Sequence, residues 1–454
     1  MSFATKAGII IGAAAFSGMA VAGTGEASND LQSRLEAAEA RIAELSAQQN
    51  SDWLTEQRAE QVRGVVQDVL ADADTRASLQ GTGATSGYNN GFFVQSADGK
   101  WSVKINGVFQ ERFNYAKNGE SVNLPNGNHD NAWGFETTRA ALNFSGMLAG
   151  EAFYNARLMW SPYNGGNQLE WAYGGWKVDD TWSVSLGRQK FDVMRGYMLN
   201  AEDQQAIERS LQTSYWSTSS VTNGVKLSGN MDQSRYNVMF SNGSDNGANQ
   251  QFDRNDHDWA FSGRGEWLME GTWGQFDNMS SPAGSTDGWL LGVGAAYNKT
   301  NVGAAGEAKN WLVSGDLTYH SDGWNAYGSM TYGKNDPNAG ADRDSFGWEL
   351  GAGMYMDADN ELYARYSWLD PGQGRGADSS KLSIMTIGWN HYIAGPNTKL
   401  SVDWSYSFSD QSFAANQGNG VGYSDWWNNT PAAGGNGLND GSNWMIRTQL
   451  QVAF

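Results

Sequence analysis

WSVKINGVFQERFNY, residues 101–115, repeats its chemistry every two positions. Val103, Ile105, Phe109 and Phe113 point one way; Lys104, Asn106, Gln110 and Arg112 point the other, as in an extended strand with one apolar and one wet face. The pattern recurs along the chain. Ala140, Leu142 and Phe144 alternate with Asn143 and Ser145, and Trp311, Val313, Leu317 and Tyr319 alternate with Ser314, Asp316 and Thr318. Leu400, Val402, Trp404, Tyr406 and Phe408 alternate with Ser401, Asp403, Ser405 and Ser407. The second face is too polar for a sandwich core and suits a water-filled lumen.

Connections between these segments also alternate. LAGEAF, VDDTW, NMDQSR, HSDGW, MDADNEL and IAGPNT are tight turns, whereas SNGSDNGANQQFDRNDHD and YGKNDPNAGADRDS are long and polar. Short turns on one rim and long loops on the other are the pattern of a transmembrane β-barrel. About sixteen strand candidates fit between Trp101 and Phe454, an even number that puts both chain ends of the barrel on one rim. In the last segment Trp444, Ile446, Leu450, Val452 and the terminal Phe454 share a face, suiting a strand that ends in an aromatic girdle. The expected fold is therefore all-β, a transmembrane antiparallel barrel over residues 101–454.

Composition agrees. The 454 residues include 57 Gly, only 7 Pro, and 21 Trp, 18 Tyr and 18 Phe, yet only 40% are hydrophobic. A helical membrane protein needs spans of about 20 apolar residues and cannot look like this; a barrel can, because half of each strand faces water. A soluble β-rich binding protein such as a lectin remains open on composition alone. The net charge of −19 lacks the basic footprint of a nucleic-acid binder. The chain has no cysteine, so an oxidising compartment poses no risk of mispairing.

The N-terminal part reads differently. Lys6 precedes an apolar run that ends in Ala20-Val21-Ala22, a basic region, apolar core and A-x-A site that together predict a signal peptide over 1–22. In residues 23–80, Leu31, Leu35, Ala38, Ile42 and Leu45 follow a 4-3-4-3 spacing. That seam predicts a short helical coiled-coil stalk that helps hold an oligomer. A second helix is expected around Leu54 to Leu70, and residues 81–100 are expected to be a linker.

The exported N-terminus, the heptad stalk, the opening strand GKWSVKINGVFQERFNY and the segment SLGRQKFDVM (185–194) together resemble the porin O/P, or phosphate-selective porin, family. The resemblance implies a homotrimer of sixteen-stranded barrels in the outer membrane of a Gram-negative-type bacterium, with the stalk in the periplasm and a constriction loop after the Gly-Arg-Lys strand. Asp192 and Val193 stand where the resemblance leads one to expect Pro-Phe.

Period-two parity places Lys104, Arg112, Arg139, Arg157, Lys226, Arg235, Arg264, Arg365 and Arg447 inward, joined by Arg188 and Lys190 only if a bulge shifts the register. Glu170, Asp316, Glu349 and Asp403 are the inward acids expected. The basic residues come mostly from the first eight strands and the last, and the acids largely from the tenth, twelfth and fifteenth, predicting a field across the lumen. The non-alternating stretch from Asn200 to Ser220, with Glu202, Asp203, Glu208 and Arg209, is expected to fold inward and narrow the pore, an ordinary surface loop being the alternative. The four histidines are scattered, and neither a nucleophile elbow nor a phosphate-binding Gly loop is present, so no catalytic group, metal or cofactor is expected. These features predict passive diffusion of small hydrophilic solutes or ions through the lumen. An anion- or phosphate-selective pore is the first alternative. The second is a structural tether that links outer-membrane lipid to the cell wall through the stalk.

Overall fold

A computed structural model describes residues 36–40, 83–124, 127–160, 167–216, 221–243, 259–301, 307–337, 342–370, 372, 381–396, 398–408 and 444–454. The expected signal peptide, the second N-terminal helix and most of the heptad stretch lie outside the described residues. Within the heptads, residues 36–40 are helical and exposed.

The chain divides into two units, Met1–Gly99 and Lys100–Phe454. In the first, strands β1 (Thr85–Tyr88) and β2 (Phe92–Gln95) pair antiparallel as a hairpin. This corrects the linker expected over 81–100. The overlooked signal is Asn90-Gly91, whose positive φ angles of 47° and 132° make the reversal.

The second unit is a closed antiparallel ring of sixteen strands, as the alternation predicts. They are β3 (Ser102–Leu124), β4 (Gly127–Leu148), β5 (Ala152–Trp160), β6 (Asn167–Lys177), β7 (Trp182–Lys190), β8 (Val221–Asn230), β9 (Ser234–Ser241) and β10 (Trp259–Glu270). The ring continues with β11 (Gly288–Asn301), β12 (Glu307–Ser321), β13 (Trp324–Pro337), β14 (Arg343–Tyr355), β15 (Asn360–Asp370), β16 (Leu382–Ala394), β17 (Thr398–Ser407) and β18 (Trp444–Ala453). Each strand pairs with the next in sequence, and β18 closes on β3 from Trp444↔Lys117 to Ala453↔Val108. Closure leaves no sheet edge, the condition for burying backbone amides in lipid.

The outer face carries the apolar parity. On β18 the exposed row is Ile446, Leu450, Val452 and Phe454. Aromatics form two belts on β10–β13. Trp289 and Tyr319 (4.4 Å between ring centres) continue to Trp324 near the short-turn rim, and Trp259, Tyr297 and Trp311 pack with tilted rings near the other rim. Exposed Leu291 and Val293 lie between the belts on β11. These are the interfacial girdles and apolar band of a membrane barrel.

The lumen is not wholly polar. Residues 191–216, between β7 and β8, enter it with two short helices, α1 (Arg195–Met198) and α2 (Leu211–Trp216). Leu211 packs on Ala116, Leu369, Leu382, Ile384 and Met445 from the wall, while Phe191, Val193, Met194 and Tyr197 pack on Ala260 and Ala296. The core thus sits inside the ring, where apolar wall positions match the insert.

Candidate functional site: the barrel lumen

The inward segment begins at Phe191, nine residues before the expected Asn200. Asp192 bonds Lys226 at 2.5 Å, and the buried Val193 gives its carbonyl to Arg264 Nη1 at 3.0 Å. These two residues therefore anchor the start of the insert to β8 and β10.

Two further carboxylates of the insert tie it to the basic wall. Glu208 accepts from Arg112 at 2.6 Å and from Arg139 at 3.1 Å. Glu202 accepts from Arg157 through both guanidinium nitrogens, at 2.6 and 3.2 Å, and Arg157 also meets Glu170 at 3.0 Å. Both acids lie outside the spanning strands. Burial pushes the Glu208 carboxyl upward, but Arg139 and Arg112 outweigh it and hold it at about 2. Burial and Arg157 compete likewise at Glu202, and Arg157 wins, lowering it. Asp203 receives the Met279 amide on its carbonyl, and Arg209 turns back onto the insert, donating to Gly196 O and Leu199 O.

Contacts continue around the ring. Arg365 donates to Glu208 O, Lys399 to Gln204 O at 2.6 Å, and Gln451 to Glu202 O. Gln205 bonds Asn325 and Glu361, and Gln212 bonds Ser329 and Thr331.

Lys104, Arg112, Arg139, Arg157, Lys226, Arg235, Arg264, Arg365 and Arg447 all sit on the inward parity, with Asp316, Glu349 and Asp403; Glu170 reaches in from a bulge opposite Arg157 and Leu158. Arg188 does not: the β7 register is unbroken, so it shares the outward parity of exposed Leu186 and donates to the carbonyls of Leu169 and Glu170. Lys190 has the same parity but lies at the strand end, where its amine curls onto Tyr197 O, Met198 O and Asn200 Oδ1. The predicted opposition of a basic and an acidic arc is not what the contacts make. Arg264 pairs with Asp316 on the neighbourhood wall at 2.8 Å, and Arg447 pairs with Asp403 at 2.7 Å, so those charges cancel locally. Glu349 accepts from Ser329 and Thr213.

Sequence reasoning missed Glu136, Glu266 and Glu361. Glu266 and Glu361 lie two and four residues from Arg264 and Arg365, so parity could have found them. Glu136 is hidden by the irregularity that puts both Arg139 and Glu136 inward, opposite Gln110 and Arg112.

A cavity of about 400 Å3 lies against β5–β8, lined by Asn155, Trp171, Tyr173, Ser183, Lys190 and Lys226 among others. Arg157 and Lys190 sit over the Trp171 ring at 5.0 and 5.3 Å.

An antiparallel ring with an aromatic-belted apolar exterior and a charge-lined, loop-narrowed interior defines an outer-membrane channel. The chain belongs to the family of phosphate-selective porins O and P, whose profile matches residues 109–421. No curated protein sequence matches the chain significantly. Among solved structures, it is similar to an anion-selective porin from Comamonas acidovorans at 15% identity and TM-score 0.56, covering 78% of this chain and 100% of that one. It also resembles a loop L8 deletion mutant of OmpT from Vibrio cholerae at 10% identity and TM-score 0.53, over 78% and 100% of the two chains. Salmonella typhi OmpF, in complex with daunomycin, matches at 15% identity and TM-score 0.51, over 82% of this chain and 100% of that one. At these identities the likeness is one of fold.

Proposed function

We propose that the protein is a trimeric diffusion porin for small hydrophilic solutes and ions. The observation that carries this reading is the ionic contact between insert and wall, where Arg157 meets Glu170 and Glu202 and where Lys226 meets Asp192. Each of these cations at the neck has a carboxylate beside it. That favours a filter of mixed sign, selecting by width and local field, over a file of bare cations suited to phosphate. In a planar bilayer the purified protein is expected to open in large, salt-dependent steps grouped in threes. Silence would remove the reading, and strong anion preference at the reversal potential would favour the phosphate alternative.

The short-turn rim, where β3 begins and Phe454 ends, is assigned to the periplasmic side, so the heptad residues Leu31, Leu35, Ala38, Ile42 and Leu45 would extend into the periplasm. The outer wall supports the homotrimer. Glu111 shares the outward parity of Phe109 and Phe113, lies opposite Leu450 and accepts from Thr137 at 2.7 Å. A carboxylate at that height is costly against lipid, by roughly 2–4 kcal/mol or less for an acid, and is accommodated if another copy covers it. Glu111→Arg is expected to convert trimers to monomers in mild detergent, read by light scattering. An unchanged trimer would exclude this face from the interface.

A further inference from the structure

We propose that residues 271–287, the connection between β10 and β11, form a second inward plug entering from the rim opposite the β7–β8 insert, and that permeation is thereby confined to the β5–β8 side of the lumen. The proposal rests on the channel reading above and goes beyond it.

Six of the connections on the short-turn rim are brief: residues 149–151, 178–181, 231–233, 322–323, 356–359 and 395–397. The β10–β11 connection alone on that rim runs from 271 to 287 and folds into the barrel. Phe276, Ser280 and Ser281 are buried. Phe276 stacks on His320 at 4.8 Å, Ser280 donates to Glu361, Ser281 donates to the carbonyl of Ser321, and Trp273 lies under Arg235 at 4.0 Å. The connection also touches the other insert: Arg195 donates to Phe276 O at 2.5 Å, and the Met279 amide donates to Asp203 O at 3.2 Å. The two inserts, entering from opposite rims, thus meet inside the ring.

Their combined effect is lopsided. Inward residues of β12–β17 are sealed: Thr318, Asn325, Glu361, Asn390 and Ser401 are each 1% exposed or less, Glu361 beneath Ser280 of the plug and Asn325 and Asn390 beneath Gln205 of the other insert. On the opposite wall, Asn155, Ser183 and Ser228 are half-buried and line the cavity of about 400 Å3. Among the described residues, that wall is where a solute that needs water around it finds room.

The absence of native cysteine permits a direct test on the full-length barrel. Ser183→Cys and Ser228→Cys are expected to react with a small charged methanethiosulfonate and to lower single-channel conductance, while Thr318→Cys and Ser401→Cys react at least tenfold more slowly and leave conductance unchanged. Replacing residues 271–287 by an Asn-Gly turn is then expected to expose Thr318→Cys and to raise conductance. Equal labelling on both sides, or labelling of Thr318→Cys unaltered by the shortened connection, overturns the proposal. Labelling is read by mass spectrometry and needs no current, so a protein silent in bilayers would count against the channel reading while the accessibility pattern still decides the plug. Should the shortened variant fail to fold, the four single cysteines decide alone.

Discussion

Arg139→Glu combined with Arg157→Glu is expected to move the permeability ratio toward cations by roughly tenfold, read from the reversal potential in a salt gradient. Both guanidiniums face the insert, Arg139 against Glu208 and Arg157 against Glu202 and Glu170. Reversal changes four units of charge at the neck and gathers five carboxylates there. One unit charge at about 4 Å is worth about 1 kcal/mol in water. Counter-ions within a Debye length of about 10 Å at 0.1 M remove much of the sum, and about 1.4 kcal/mol, a tenfold ratio, is what survives. Conductance should rise as well, because the reversed residues repel the insert they now hold. An unmoved reversal potential would mean that ions do not pass this wall.

Glu208→Ala has the largest expected effect on stability. The carboxylate is 2% exposed and sits between Arg112 and Arg139, which are also buried. Removing one partner of a buried ionic network leaves charge uncompensated, at about 3–5 kcal/mol. The loss should appear as a lower midpoint for release of the insert, measured by protease cutting within residues 200–216 on heating, with the outer barrel melting little changed. Glu208→Gln keeps a hydrogen-bond acceptor and should recover part of it. The acid dependence follows from the depressed carboxyl. The contribution is fully present above its ordinary value of 4.5 and is lost as pH falls through about 2. A latch that loosened already at pH 6 would contradict this assignment.

The barrel was legible because lipid enforces strict alternation, so a strand such as β17, from Leu400 to Ser407, declares both faces with every residue. The same rule located Arg112, Arg139, Arg157 and Arg447 on the inner wall. It failed where the register slips or the strand ends. Glu136 lies beyond an irregularity that parity cannot see, and Lys190 escapes its outward parity by curling at the last residue of β7. The folded-in connections were harder still. Residues 271–287 carry no alternation, and their inward course depends on contacts with His320, Glu361 and Asp203, each distant in sequence. The apolar wall positions Leu369 and Leu382 look like breaks in the polar face until α2 is seen against them. Pairing of Arg264 with Asp316 needs the β10–β12 geometry, which no single strand pattern encodes.

Ring closure has a consequence for how the chain folds. The seam joins partners far apart along the polypeptide: Gln110 bonds Gln451 across 341 positions, and Arg112 bonds Gln449 across 337. Such a distant contact forms late, since its entropy cost precedes any local reward. The insert touches both sides of that seam, Glu208 holding Arg112 from β3 and the Glu202 carbonyl receiving Gln451 from β18. It therefore acts as a clasp behind the seam, gripping the first and last strands of the cylinder from within.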